Sequence, residues 1–210
     1  MSLYSVLHAL FAGFVRGIHR VKVEGIENIE EGGHYLICSN HIAFDDPIIL
    51  GAVLPIQPKY MAKKELIAVP LVGSFLRALG AYPIDRKGND AAAIRKSISL
   101  LKNGESIIMF PQGTRSGGRL PSETEPKPGC AMIASHAGCD VLPILIETKD
   151  YRQSFLRRTV VRIGKPIPAC EVKEAADVGY EEGARLIFGR ICSMETPSLV
   201  SSPEVKKLGK

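Results

Sequence analysis

Apolar positions along this chain fall into two kinds of run. Short ones, rich in Val, Ile and Leu and closed by Gly, Pro, Asn or Asp, predict strands at residues 21–25, 34–38, 57–62, 81–86, 106–110, 141–146 and 159–164. The first alternates apolar and polar as an edge strand does, whereas 106–110 and 141–146 are almost wholly apolar, the pattern of strands buried on both faces. Longer stretches with apolar residues every three or four positions predict helices at 3–18, 46–54, 70–80, 90–102, 130–136 and about 174–192, and a short helix opens at 63–66. Asp46-Pro47, Pro70 and Asp90 are start signals, and Gly80 and Asn103-Gly104 are stop signals. In the 70–80 helix, Leu71, Phe75 and Leu79 with Val72 and Leu76 make one apolar face, which is expected to lie in the core.

Strands that alternate with helices define an α/β fold, a layered sandwich with a mostly parallel or mixed central sheet flanked by helices. The 210 residues suffice for one full core, and no Ser/Gly/Pro-rich linker divides them, so residues 20–195 read as one domain. Residues 196–210, with Ser201, Ser202, Lys206, Lys207 and Lys210, read as a disordered tail.

Residues 1–19 read as an N-terminal amphipathic helix, in which Leu3, Leu7, Leu10, Phe14 and Ile18 form a stripe that Val6, Phe11 and Val15 widen. The run is shorter than the ~20 apolar residues of a membrane span. No basic residues precede it and no small-x-small cleavage site follows, which argues against a signal peptide. Arg16, His19, Arg20 and Lys22 come afterwards, so the preferred reading is a helix lying in the cytoplasmic interface of a membrane, where anionic lipid attracts those cations. The competing reading is a helix that covers the domain's own core.

A net charge of +5 and a pI near 9.0 suit an anionic partner: nucleic acid, an anionic membrane or a phosphorylated small molecule. With 6% aromatic residues and no Trp, the chain is poorly supplied with base-stacking platforms, which counts against nucleic acid. Five cysteines without a C-x-x-C pair suggest neither a zinc site nor a disulfide framework and fit a reducing compartment.

The candidate chemistry lies between the second strand and the helix after it, in Ser39-Asn40-His41-Ile42-Ala43-Phe44-Asp45-Asp46-Pro47. On a continuous helix, residues five apart would stand about 140° from each other. A loop removes that constraint, so the Asp46 carboxylate can reach one imidazole nitrogen of His41 and leave the other free to take a proton from a substrate hydroxyl. Two other readings stand beside this one: Asp46 serves only as a helix cap, or Asp45 is the partner. Position favours Asp46, since a cap carboxylate has two oxygens to share. Further along, Arg86 ends one predicted strand, and Arg115 sits among glycines and hydroxyls after another, in Pro111-Gln112-Gly113-Thr114-Arg115-Ser116-Gly117-Gly118. Strand ends in α/β sheets gather ligands, and guanidinium groups with glycine backbone suit phosphate. Lys149, Arg152, Arg157 and Arg158 form a basic loop, either a solvated face or a contact for anionic headgroups or a phosphorylated carrier.

Four blocks in one order carry a resemblance: Asn40-His41 through Asp46; Gly80 and Arg86 around a strand; Phe110 through Ser116; and Val141-Leu142-Pro143-Ile144. Together, over roughly residues 21–164, they resemble the glycerolipid acyltransferases, in particular those acting on 1-acyl-sn-glycerol 3-phosphate. The resemblance implies transfer of an acyl group from acyl-CoA or acyl carrier protein to the hydroxyl of lysophosphatidic acid at a membrane surface, by a peripheral or monotopic protein. It implies His41 as base and Asp46 as the holder of its tautomer. Arg86 and Arg115 would hold the phosphate, and Gln112, Gly113 and Thr114 would form the loop around it. Neither cofactor nor metal is implied, nor is nucleic acid. No Ser or Cys stands beside His41 in a nucleophile motif, which implies direct attack. One position departs from the pattern: the family's third block has Glu where this chain has Gln112, which supplies no negative charge. The departure leaves open a different lysophospholipid acceptor, or a weakly active lipid-binding relative.

Overall fold

The computed structural model describes residues 3–78, 80–84, 90–154 and 156–196. The tail from 197 onward and Arg86 lie outside the described residues. All seven expected strands are present in one sheet: β1 (Lys22–Glu24), β2 (Leu36–Ser39), β3 (Lys59–Lys63), β4 (Ala81–Ile84), β5 (Ile107–Met109), β6 (Val141–Thr148) and β7 (Thr159–Ile163). Their order across the sheet is β1-β7-β6-β2-β5-β3-β4. Every neighbouring pair is parallel except β6 and β7, which are antiparallel, so the sheet is mixed. All residues of β2 and β6 are buried, as their apolar runs require of central strands covered on both faces.

The helices are α1 (Leu3–Ile18), α2 (Asp46–Val53), α3 (Lys64–Ile67), α4 (Val72–Ala78), α5 (Asp90–Lys102), α6 (Gly129–Ala137), α7 (Ala169–Val178) and α8 (Tyr180–Cys192). Gly104 closes α5 with the left-handed backbone that glycine favours, φ 80°. On α1, Ala12 and Val15 are buried and Phe11 packs against the core, while Phe14 and Arg16 face outward.

Two expectations are corrected. The single helix expected at about 174–192 is two helices, and it begins earlier, after Pro168. Gly179, extended at φ 167° and ψ 145°, separates them, glycine being a poor helix former. The turn lets Gly183 of α8 press on α6, where a side chain at Gly183 would come within 2.7 Å of Ala131 Cβ. The face expected in the core on the 70–80 helix is also not wholly inside: Leu71 is 85% exposed and Val72 is exposed, although Leu76 packs against the core. The backbone around Gly73 departs from one continuous helix. A Cβ there would meet the Ile67 carbonyl oxygen at 1.8 Å, so the chain crosses itself tightly at the start of α4, and Leu71 lies before the helix with a left-handed backbone, φ 64°.

An ionic network ties the antiparallel side together. Buried Glu147 of β6 accepts from Tyr151 Oη at 3.1 Å, from the Thr196 N–H at 2.9 Å and from Arg162 of β7, whose Nε also donates to Glu24 of β1 at 2.9 Å. Burial pushes the Glu147 carboxyl up, but Thr196 and the Arg162 guanidinium outweigh it and hold the group below its usual range. The network therefore contributes stability above the ordinary glutamate pKa, and that stability is lost as pH falls through the lowered one. Replacing Arg162 with Met should lower the free energy of denaturant unfolding by about 3 kcal/mol, because it leaves a buried charge unpaired. Adding Glu147→Gln to that variant should recover part of the loss.

Candidate active site

Parallel β2 and β5 lie side by side with Cys38 opposite Met109, so the segments that leave their C-terminal ends emerge together. The first leaves through Asn40, which is buried. Its Nδ2 donates to the Ile146 carbonyl at 2.8 Å, and the Ile146 N–H donates to its Oδ1 at 2.7 Å. An amide side chain thus continues the pairing to β6 while the backbone turns away to present His41.

His41 Nδ1 lies 2.7 Å from Asp46 Oδ2. The same oxygen accepts from the backbone N–H groups of Ile42 at 2.6 Å and Ala43 at 2.8 Å. Asp46 is the first residue of α2 and wholly buried, and its carboxylate reaches back over the loop instead of capping the helix. Asp45 occupies the cap position without a side-chain cap bond, and its carboxylate pairs with His19 Nε2 at 3.2 Å, just beyond the end of α1. The partner of His41 is therefore Asp46. Burial pushes the Asp46 carboxyl above its usual range, although the His41 bond and the two N–H groups pull the other way. The His41 ring stacks on Phe110, centroids 4.0 Å apart and planes 17° apart, which fixes its tilt.

The second segment, beyond β5, is fastened to the first by its backbone. The His41 N–H donates to Gln112 Oε1 at 2.7 Å, and the Ser116 N–H donates to the His41 carbonyl at 2.8 Å. Between these two buried residues Gly113, Thr114 and Arg115 bulge into solvent. Gly113 has φ 69° and donates its N–H to the Phe110 carbonyl at 3.0 Å, closing a turn that glycine makes without strain. Gly117 is equally constrained, since a Cβ there would lie 2.8 Å from the Ile42 carbonyl oxygen.

Gln112, expected in the phosphate loop, is turned inward at 4% exposure, with both ends of its amide bonded inside the protein. Thr114 and Arg115 are exposed at the turn beside His41. Arg86 lies outside the described residues; Ile84, the last described residue of β4, is at the same end of the sheet, two strands along from β5.

Two cations that the sequence did not single out for the site lie against its glycines. A Cβ at Gly113 would be 3.2 Å from Lys127 Nζ, and one at Gly118 would be 3.0 Å from Arg152 Nε. Lys127 shows in the sequence only as a lysine before Pro128-Gly129, and Arg152 only as one member of a basic loop. Phe110 reads as the end of a strand. Chemically, the assembly is an imidazole oriented by a buried carboxylate next to a cationic turn, an arrangement that suits a base beside an anion site. Among the described residues no three His, Cys, Asp or Glu side chains converge to hold a metal ion.

A family model described as Acyltransferase matches residues 20–147, a span that holds both segments of the site. The chain is 33% identical over 150 residues to a 1-acyl-sn-glycerol-3-phosphate acyltransferase of Bacillus subtilis (strain 168), covering 70% of this chain and 73% of that one. It is 32% identical over 173 residues to the enzyme of the same name from Streptococcus pneumoniae, covering 80% and 62% respectively. The crystal structure of the 1-acyl-sn-glycerophosphate acyltransferase PlsC from Thermotoga maritima matches with a TM-score of 0.64 at 25% identity, over 89% of this chain and 82% of that one.

Because burial raises the Asp46 carboxyl above its ordinary range, it costs stability once pH rises past the range in which an aspartate of the unfolded chain ionises. Asp46→Asn removes that charge yet keeps an oxygen to accept from Ile42 and Ala43. In thermal unfolding at pH 7 this variant should melt no lower than the parent, while its turnover falls by about 10²-fold or more through loss of the imidazolium's counter-charge.

Proposed function

The chain belongs to the acyltransferase family, and from that premise we propose that it moves a fatty acyl group from a thioester donor, acyl-CoA or acyl carrier protein, to the sn-2 hydroxyl of 1-acyl-sn-glycerol 3-phosphate, giving phosphatidic acid. The observation that carries this reading is the 2.7 Å bond between His41 Nδ1 and the buried Asp46, set next to the exposed Gly113–Thr114–Arg115 turn. In the proposed reaction the acceptor hydroxyl gives its proton to His41 Nε2 as its oxygen bonds to the thioester carbonyl carbon. The tetrahedral adduct then collapses, the carbon–sulfur bond breaks, and the imidazolium returns the proton to the departing thiolate. Asp46 holds the tautomer and offsets the charge that forms on the ring.

An acyl-enzyme has little support in the residues nearby. Cys38 is buried and its thiol is pushed far above its ordinary range by desolvation, and Ser116 Oγ is buried in bonds to Gln112 and the His41 carbonyl. Arg115 and Lys127 are the proposed grip on the acceptor phosphate, with Arg86 as the second arginine that the resemblance implies. The inward orientation of Gln112 weighs against the alternative of a weakly active lipid binder, because the departure from Glu takes nothing from the solvent-facing side of the site.

The proposed setting is the cytoplasmic surface of an anionic membrane, which the protein meets as a peripheral or monotopic partner. Among the described residues no helix is long and apolar enough to cross a membrane. Phe44, Leu71 and Leu156 are 66%, 85% and 55% exposed in connections at the end of the sheet where His41 lies, and Phe14 of α1 is 66% exposed. Exposed Arg16, Arg20, Lys149 and Arg152 supply cations nearby.

The test is phosphatidic acid formation from labelled acyl donor and lysophosphatidic acid, run with acyl-CoA and with acyl carrier protein. His41→Ala should reduce turnover by about 10²-fold or more, and Arg115→Ala should raise the KM for lysophosphatidic acid more than it lowers kcat. Absence of product from the parent protein with either donor would refute the reading. In flotation with vesicles containing anionic lipid, Asp at Phe14, Phe44 and Leu71 together should release most of the bound protein, whereas binding equal to the parent's would refute the membrane contact.

A further inference from the structure

Gln112 stands where the resemblance leads one to expect a carboxylate, and the hydrogen-bond directions around it explain why an amide serves here. Its Oε1 takes the His41 N–H at 2.7 Å, which fixes the orientation of the amide, since an NH₂ there would face another donor. Its Nε2 then points at Ser116 Oγ, 2.7 Å away, and Thr124 Oγ1, 2.8 Å away. Neither hydroxyl has a proton to offer in return. Ser116 Oγ–H donates to the His41 carbonyl at 3.2 Å, and Thr124 Oγ1–H donates to the Pro121 carbonyl at 2.7 Å. Each hydroxyl therefore accepts, and the group facing them must supply two N–H donors on one atom and an acceptor on the other.

We propose that Gln112 is a positioning residue for the acyl-transfer base: a neutral clamp that holds the His41 backbone through a donor–acceptor pattern only a carboxamide satisfies. The clamp closes a ring of bonds from the His41 N–H through Gln112 and Ser116 back to the His41 carbonyl, so both backbone groups of the base are fixed from the loop that carries Arg115. Thr124 anchors the ring to the segment before α6. The backbone of His41 and the position of the cationic turn are thereby tied together by one side chain, while Asp46 and Phe110 orient the ring itself. Its neutrality has a second effect. A glutamate at 112 would have to turn both hydroxyls away from their carbonyls, and it would place a second buried negative charge next to the loop of His41, favouring the protonated ring.

The inference rests on the acyl-transfer reading for its kinetic consequence but not for its structural one, so two measurements separate them. For activity, Gln112→Leu, which keeps the bulk and removes all three bonds, should lower kcat by about tenfold or more while the KM for lysophosphatidic acid stays within about twofold. A raised KM with kcat unchanged would instead make Gln112 a phosphate ligand and overturn the proposal. Independently of turnover, the His41 ring proton is titrated by NMR in the parent and in Gln112→Glu, a same-shape variant. The titration midpoint should move to higher pH in the glutamate variant, and the acid limb of kcat/KM should move with it. Identical midpoints in two folded proteins would overturn the proposal. A parent protein with no transferase activity but a shifted midpoint in the variant would sink the acyl-transfer reading and leave the clamp standing.

Discussion

The candidate site at the C-terminal ends of β2 and β5 depends on one oxygen. Asp46 Oδ2 accepts from the His41 ring and from two backbone N–H groups, and in doing so it folds the loop between β2 and α2 around a single buried point. A carboxylate wholly removed from water is costly unless hydrogen bonds compensate it, and here the compensating bonds also set the orientation of the His41 ring. The bonds that stabilise the charge are those that aim the imidazole. Loss of that oxygen would relax both the loop and the tautomer.

The remaining structure supplies rigidity to that point from several sides. Asn40 bonds both backbone groups of Ile146, Phe110 stacks on the ring, and Gln112 and Ser116 hold the backbone of His41. These partners come from β6, from the end of β5 and from the loop beyond it, and they meet only because β2 lies between β5 and β6 in parallel register. On the far side of the loop, His19 pairs with Asp45 and accepts from Gln153 Nε2 at 3.0 Å, which ties the end of α1 to the segment before β7. The N-terminal helix is thus mechanically joined to the loop that carries His41.

Much of this was legible in the chain, because its cues are local. The β-branched runs mark the strands, Asp46-Pro47 opens a helix, and a His and an Asp five apart across a strand-to-helix turn suggest a pair. What was not legible depends on register and crossing. No local pattern says that Phe110 lies under His41, that Lys127 crosses Gly113, or that His19 finds Asp45; each contact joins residues many positions apart. Gln112 reads as a ligand when seen among Gly113, Thr114 and Arg115, and only the burial of its side chain turns it into a brace. The apolar periodicity over 70–80 is real, but a periodic face does not say what it meets. The helix starts only at Val72, and Leu71 and Val72 are left outside. Gly179 likewise interrupts a helical pattern that its neighbours would have continued.

The central claim is that Asp46 selects the tautomer in which His41 keeps its proton on Nδ1 and offers Nε2 to the substrate. The most direct measurement is the pair of nitrogen-15 chemical shifts of the His41 ring in its neutral form. The account predicts a protonated, pyrrole-like Nδ1 and a bare, pyridine-like Nε2. A ring with its proton on Nε2 would contradict it.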